Sequence, residues 1–226
     1  MSLAQIKLSL GGDLTTEKQY NNISTTESSV SPIRVLKNTF RANIILWQNK
    51  NIGSGIGIHL ISYRLGFSDN DPTYFNTSGH ANMRAVNVPI NIVYRKKLFD
   101  LFKRSMYMYG QFGCIIGFNS HALKNWDAIS NTWRSNRQGT NFNYTYSLNY
   151  NFSPIYTKID IGIRLDYQVL DSLSIGVQAR YYQGLQKIGE LSANYGLEGS
   201  VLRDINIKTV GSIFMFGGGI LFHINT

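Results

Sequence analysis

Residues 157–169 alternate apolar and polar side chains almost without a fault, and no other feature restricts the fold as much. Ile159, Ile161, Ile163, Leu165, Tyr167 and Val169 fall on one face of an extended strand, and Lys158, Asp160, Gly162, Arg164, Asp166 and Gln168 on the other. Successive strand side chains point to opposite faces, so this segment is greasy on one side and polar on the other. Segments of the same kind recur at 5–14, 35–48, 52–67, 82–96, 105–118, 173–183 and 207–224. Long connections at about 15–34, 68–80, 119–156 and 184–206 alternate with three short ones. This rhythm predicts an all-β fold in which residues 1–226 form a single domain, an eight-stranded antiparallel up-and-down barrel. Long connections gather at one end and short turns at the other, together with both termini. Transmembrane barrels have that layout, and a soluble barrel has no reason to segregate its loops so strictly.

Two barrels fit an alternating strand: a soluble one with its apolar face turned in on a ligand, and a membrane one with that face turned out. The longest apolar runs, such as residues 44–47, fall far short of the roughly 18–20 residues that a spanning helix needs. Any crossing is therefore made by strands, which satisfy their backbone groups only in a closed barrel. A soluble barrel needs an outer face dense in Lys and Glu, whereas 15% of this chain is charged, against roughly 25% in ordinary soluble domains. Its polar faces hold Gly, Asn, Gln, Ser and Tyr with isolated charges of both signs. That composition suits an interior in which Lys7, Arg41, Arg95, Lys158, Arg164 and Arg180 meet Asp13, Asp160 and Asp166. Eight strands enclose just enough room for side chains or one small ligand. Val88, Ile90, Ile161, Ile163, Phe214 and Phe216 are then expected to face lipid. Pro89, which cannot donate to a ladder, predicts a bulge, and residues 97–104 leave room for one helical turn.

The remaining chemistry is sparse. One cysteine, Cys114, excludes an internal disulfide and a thiolate zinc cluster. The net charge of +9 is scattered, apart from Arg95-Lys96-Lys97 and Lys103-Arg104, which read as a basic rim near a membrane surface or as a solvated turn. No nucleic-acid partner is expected. Of the four histidines, His121 follows Ser120 and precedes Asp127 on one connection, but loop neighbours rarely adopt nucleophile–base geometry. Asp69-Asn70-Asp71 is followed by Pro72 and lacks the glycine and distal Glu of a calcium loop. No catalytic, metal or cofactor residues are therefore assigned, and the chain is read as non-enzymatic. Met1-Ser2-Leu3-Ala4 carries neither a basic n-region nor a long apolar run, so an export signal is expected to have been removed if the protein is exported. Trp126, Trp133, Tyr144 and Tyr146 on the longest connection are candidates for contact with an envelope protein or glycan. The plainer reading is a strand extension above the membrane with an aromatic girdle.

The run Val86-Asn87-Val88-Pro89-Ile90-Asn91-Ile92-Val93-Tyr94-Arg95 resembles a strand of the outer-membrane β-barrel domain family common in Bacteroidetes. Similarity continues through Tyr107-Met108-Tyr109-Gly110-Gln111-Phe112-Gly113 and Asp160-Ile161-Gly162-Ile163. It ends in the run from Leu173 to Leu185, and Leu8-Ser9-Leu10-Gly11-Gly12 is a weaker match. The resemblance implies a porin-like eight-stranded barrel in the bacterial outer membrane, and PorT-like relatives imply a link to protein secretion. Barrels of that kind usually end on an aromatic residue, a part that falls here to Phe222. The expected role is a structural or interaction scaffold of the cell envelope. The alternatives are a small-solute or hydrophobic-ligand conduit and, less favoured, a lipid-modifying enzyme.

Overall fold

A computed structural model describes residues 7–25, 30–32, 36–69, 78–119, 129–137, 140–197 and 203–225. Eight strands close a barrel: β1 (Lys7–Gln19), β4 (Leu36–Trp47), β5 (Ile52–Asp69), β6 (Ser78–Leu101), β7 (Arg104–Asn119), β10 (Ile155–Leu170), β11 (Leu173–Gly184) and β14 (Ile213–Asn225). Each pairs antiparallel with its neighbours, and β1 pairs with both β14 and β4 while β5 pairs with β6, so the wall has no free edge. The alternation of residues 157–169 sets the orientation of β10. Lys158, Asp160, Arg164 and Asp166 are buried, whereas Ile161 and Ile163 are 50% and 61% exposed. Phe40, Ile58, Leu60, Ile90, Ile92, Phe112, Phe214 and Phe216 are likewise exposed on their own strands, and Val88 is half-buried among them. So broad an apolar surface does not occur on a soluble monomer, and a closed barrel carrying it belongs in a membrane.

Above the long-connection end the wall continues as a second sheet. Strands β2 (Asn22–Thr25), β8 (Ile129–Arg137), β9 (Thr140–Phe152), β12 (Gly189–Leu197) and β13 (Arg203–Thr209) pair in the order β2-β13-β12-β9-β8. The connections expected at 15–34, 119–156 and 184–206 therefore contain strands. Period-two patterning survives in them, as in Leu191, Ala193, Ile205 and Ile207, but their apolar face meets protein instead of lipid. The segment read as one strand at 207–224 is divided. Val210, Gly211 and Ser212 interrupt it, with Gly211 at φ +70°, where a side chain is disfavoured. Short β3 (Val30–Pro32) pairs with the top of β5.

Two smaller expectations change. Residues 97–104 form no helical turn: β6 runs to Leu101 and turns tightly through Phe102 and Lys103, both at positive φ as a type I′ hairpin requires. Pro89 causes no bulge. Its register to Ile115 is continuous, and the β5–β6 ladder keeps its register on both sides of a short break beside it. The shift in β6 lies between Lys97 and Phe99 instead.

Candidate functional site

The lumen is built in layers. Near the short turns Ile45, Trp47, Val93, Tyr109 and Leu221 pack into one apolar cluster. Above it lies a band of charge. Arg180 on β11 donates to both carboxylate oxygens of Asp160 on β10, at 3.2 and 2.6 Å, and Arg41 on β4 approaches the same carboxylate at 3.9 Å. Arg164 donates through Nε to Asp166 at 2.5 Å and through a terminal nitrogen to Asp13 on β1. Glycines on facing strands create the room. A Cβ on Gly162 would lie 2.9 Å from Arg180 Cγ, and one on Gly219 only 2.2 Å from the Asp13 carboxylate.

A second buried network stands beside the first. Glu17 Oε1 accepts from His59 Nε2 at 2.6 Å and from Thr39 Oγ1 at 2.7 Å. Lys158 Nζ donates to Tyr63 and, at 2.8 Å, to the carbonyl of Gly211, with the Tyr63 and Tyr156 rings around it. Over these groups lies a larger apolar cluster that includes Ile61, Met83, Ile115, Ile188, Ile213 and Met215. Still higher, Leu65 and Phe67 of β5 pack against Leu191, Ala193, Ile205 and Ile207 of the outer sheet. The outer sheet is thus tied to the barrel by a core of its own.

Asp13, Arg41, Lys158, Asp160, Arg164, Asp166 and Arg180 accordingly share one buried interior. Lys158 sits apart from the carboxylate pairs, bonded to a phenol and a carbonyl. Arg95 departs from expectation. It is not in the lumen network but at the short-turn rim, donating to the Lys50 carbonyl at 2.9 Å and lying over the Trp47 ring at 4.4 Å. Its guanidinium also lies 5.2 Å from the centre of the Tyr107 ring. The backbone of Lys7 pairs with Trp47 and Asn225 in the wall, and its side chain lies outside the described residues. Trp126 also lies outside them, as do the side chains of Trp133, Tyr144 and Tyr146, whose backbones belong to β8 and β9.

Glu17 and His59 were not singled out together from the sequence, because they lie on strands that are not adjacent. The in-phase position of each was the available signal. At the rim, the Lys97 hydrogen bond to Asp100 raises the Lys97 ammonium and, with that from Ser105, lowers the Asp100 carboxyl. His223 at the other face of the mouth bonds Ser9 and Ser174, both at 2.9 Å, with no carboxylate completing a triad among the described residues. Ser120, His121 and Asp127 lie outside the described residues. Among the described residues no group of His, Cys, Asp and Glu is arranged to hold a metal ion.

No family model matches the chain, and no curated protein does. Among solved structures it is similar to the outer membrane protein OprG of Pseudomonas aeruginosa, at 10% identity over 97% of this chain and 96% of that one, with a TM-score of 0.57. The N-terminal β-barrel domain of Pseudomonas aeruginosa OprF matches at 10% identity over 96% and 97%, with a TM-score of 0.43. The attachment invasion locus protein Ail of Yersinia pestis matches at 11% identity over 96% and 98%, with a TM-score of 0.39. The likeness to OprG extends over nearly the whole of both chains, and the fold is that of a bacterial outer-membrane β-barrel.

Proposed function

We propose that the protein is a non-enzymatic, non-conducting outer-membrane scaffold whose barrel holds a β-sheet platform outside the cell for an envelope protein or glycan partner. One observation carries this reading: the lumen is filled from mouth to mouth, with buried ion pairs between apolar clusters. A wall so occupied is suited to holding a surface rather than passing solute. The sheet above it supports the reading, because β8 and β9 bring the aromatic-rich segment onto a regular frame. The resemblance to the Bacteroidetes barrel family and its PorT-like members adds protein secretion as the setting.

A second reading, a conduit for small or hydrophobic solutes, draws on a single feature. The β4–β5 ladder stops at Arg41 and His59, although both strands continue upward. The opening is backed by buried Thr39, Glu17, Ile61 and Tyr63 and crossed by side chains from β1 and β4, which favours the scaffold. Replacing residues 124–141 with a short Gly-Ser link separates the two. It removes edge strand β8 and leaves the β9–β12 pairing of residues 144–152 in place. The scaffold reading expects intact folding with loss of partner capture from envelope extracts. Full retention of partner capture would refute it.

A further inference from the structure

At the short-turn end, β6 outruns the strand beside it. Tyr94 stands opposite Ile52, where β5 begins, and the Arg95 amide donates to the Asn51 carbonyl. From Lys96 to Leu101 the β6 backbone pairs with β7 alone, so one edge of the β6–β7 hairpin hangs free of the wall. This free part carries apolar side chains. Leu98, Phe99 and Leu101 are exposed, and Phe102 at the tip is 85% exposed, more than any other large apolar residue among those described. Its backbone is strained as well. Phe102 and Lys103, at φ 52° and 63°, are the non-glycine residues with positive φ among those described. A left-handed backbone crowds the Cβ against the following carbonyl, and the first central position of a type I′ turn ordinarily holds Asn, Asp or Gly. Folding gains nothing from a phenylalanine kept there against backbone preference and open to solvent. Such strain collects at functional positions.

Charge and depth say what the tip meets. Five cations and one carboxylate lie between Arg95 and Arg104. Asp100 is taken by Lys97 and Ser105, and Arg104 by Asp171 across the gap to the next turn. Arg95 is held by the Lys50 carbonyl and the Trp47 ring. Lys96 and Lys103 are exposed, and neither has a hydrogen-bond or ion-pair partner among the described residues. Lipid does not cover this tip. The lipid-facing run of β6 ends at Tyr94, and the chain from residue 94 to residue 102 spans roughly 25 Å of strand. At a tilt of about 40° the tip lies roughly 20 Å below that point, whereas headgroups occupy only about 5–8 Å on each side of the hydrocarbon core. Phe102 therefore stands in the aqueous periplasm, on the side where outer-membrane barrels keep their short turns. An exposed aromatic ring there, flanked by cations without a counter-charge, calls for a partner with an apolar pocket and an acidic rim.

We propose that the β6–β7 hairpin is the docking element for a periplasmic protein, with Phe102 seated in an apolar pocket and Lys96 and Lys103 paired with carboxylates on its rim. A buried aromatic anchor supplies most of the affinity in such contacts, and rim charges govern encounter and salt dependence. The inference goes beyond the scaffold reading and does not rest on it. The outer sheet serves the cell exterior and this hairpin the periplasm, and a conducting barrel could carry the same hairpin.

The test starts in the native outer membrane, with the photo-cross-linker p-benzoylphenylalanine placed at residue 102 of the full chain or, as a control, at residue 50 on the neighbouring turn. The expected adduct is one periplasmic polypeptide, formed from residue 102 and not from residue 50. That polypeptide is then purified and titrated against the folded barrel in detergent micelles. Phe102→Asn should weaken binding roughly thirtyfold, the loss expected for a hot-spot aromatic. The same change should raise the thermal midpoint of the barrel, because Asn suits the left-handed turn. Lys96→Gln with Lys103→Gln should weaken binding several-fold and flatten its dependence on salt. Should Phe102→Asn fail to fold, Phe102→Gly carries the test, since glycine is equally at home there. Adducts confined to phospholipid, or no adduct at all, would overturn the proposal. So would equal adducts from residue 50, undiminished affinity of the folded Phe102 variant, or wild-type binding that ignores salt.

Discussion

Replacing Asp160 with alanine should be among the most damaging single changes in the barrel, and the geometry gives a scale for the loss. The carboxylate is fully buried and holds Arg180 through two hydrogen bonds, and it is the carboxylate within ion-pair distance of Arg41. Arg41 and Arg180 are 1% and 2% exposed, so neither can turn to water, and Arg41 Nε and Nη1 already lack a partner among the described residues. Breaking a buried pair from one side leaves an uncompensated charge and costs about 3–5 kcal/mol. Asp166→Ala provides the internal comparison. It strips Arg164 of one carboxylate, but Asp13 still holds the other side of that guanidinium. The loss is then closer to one charged hydrogen bond, about 1.5–3 kcal/mol. Urea unfolding in liposomes, followed by tryptophan fluorescence and by heat-modifiable gel migration, measures both variants. Asp160→Ala, Arg180→Met and the double variant should show strong coupling, because removing both partners removes the orphaned charge of Arg180. A loss below about 1 kcal/mol for Asp160→Ala, or equality with Asp166→Ala, would mean that water screens the lumen, and the packed interior would have to be abandoned.

Three further outcomes follow from the same structure. Ile161→Arg, on the lipid face near mid-strand, should cost about 2–4 kcal/mol in the same titration, and an unchanged midpoint would contradict the outward orientation of β10. Gly176→Ala should cost about 1–3 kcal/mol by overpacking, since its Cβ would lie 1.8 Å from the Asp166 carboxylate and 2.4 Å from the Leu165 carbonyl; a neutral effect would show that the lumen yields freely. On the outer sheet, hydrogen bonds from Lys187 and then Asn206 lower the Glu190 carboxyl. A depressed folded-state value stabilises above the unfolded pKa and is lost as pH falls through the folded one. Amide protection in the β12–β13 hairpin should therefore drop on acidification below the usual carboxylate range, and Glu190→Gln should remove that dependence.

The barrel wall was legible because lipid on one side and a narrow polar lumen on the other enforce a strict period of two. Residues 157–169 declare both faces at once, and the charged band of Asp160, Arg164, Asp166 and Arg180 follows from their phase alone. The outer sheet was less legible. Segments such as 189–197 and 203–209 keep the same period, but their greasy side is covered by Leu65 and Phe67 of a distant strand, which local pattern does not reveal. Arg95 is in phase with the lumen, yet it lies so near the strand end that stacking on Trp47 competes with burial. The hydrogen bond from Lys37 to Ser62 depends on β4 leaving β5 above Arg41 and His59, a departure with no mark in the sequence of either strand.

The central claim is that the lumen is closed by its own side chains, and single-channel recording in planar bilayers tests it most directly. The wild-type protein, inserted at known density and checked for heat-modifiable folding, should pass no steady current at either polarity. Removal of the upper cover by replacing residues 189–207 with a short link should leave the wall silent as well, because Arg41, Asp160 and Arg180 with Trp47 and Tyr109 below them still fill the barrel. A steady, reproducible unitary current from the intact protein would contradict the account and make the barrel a conduit.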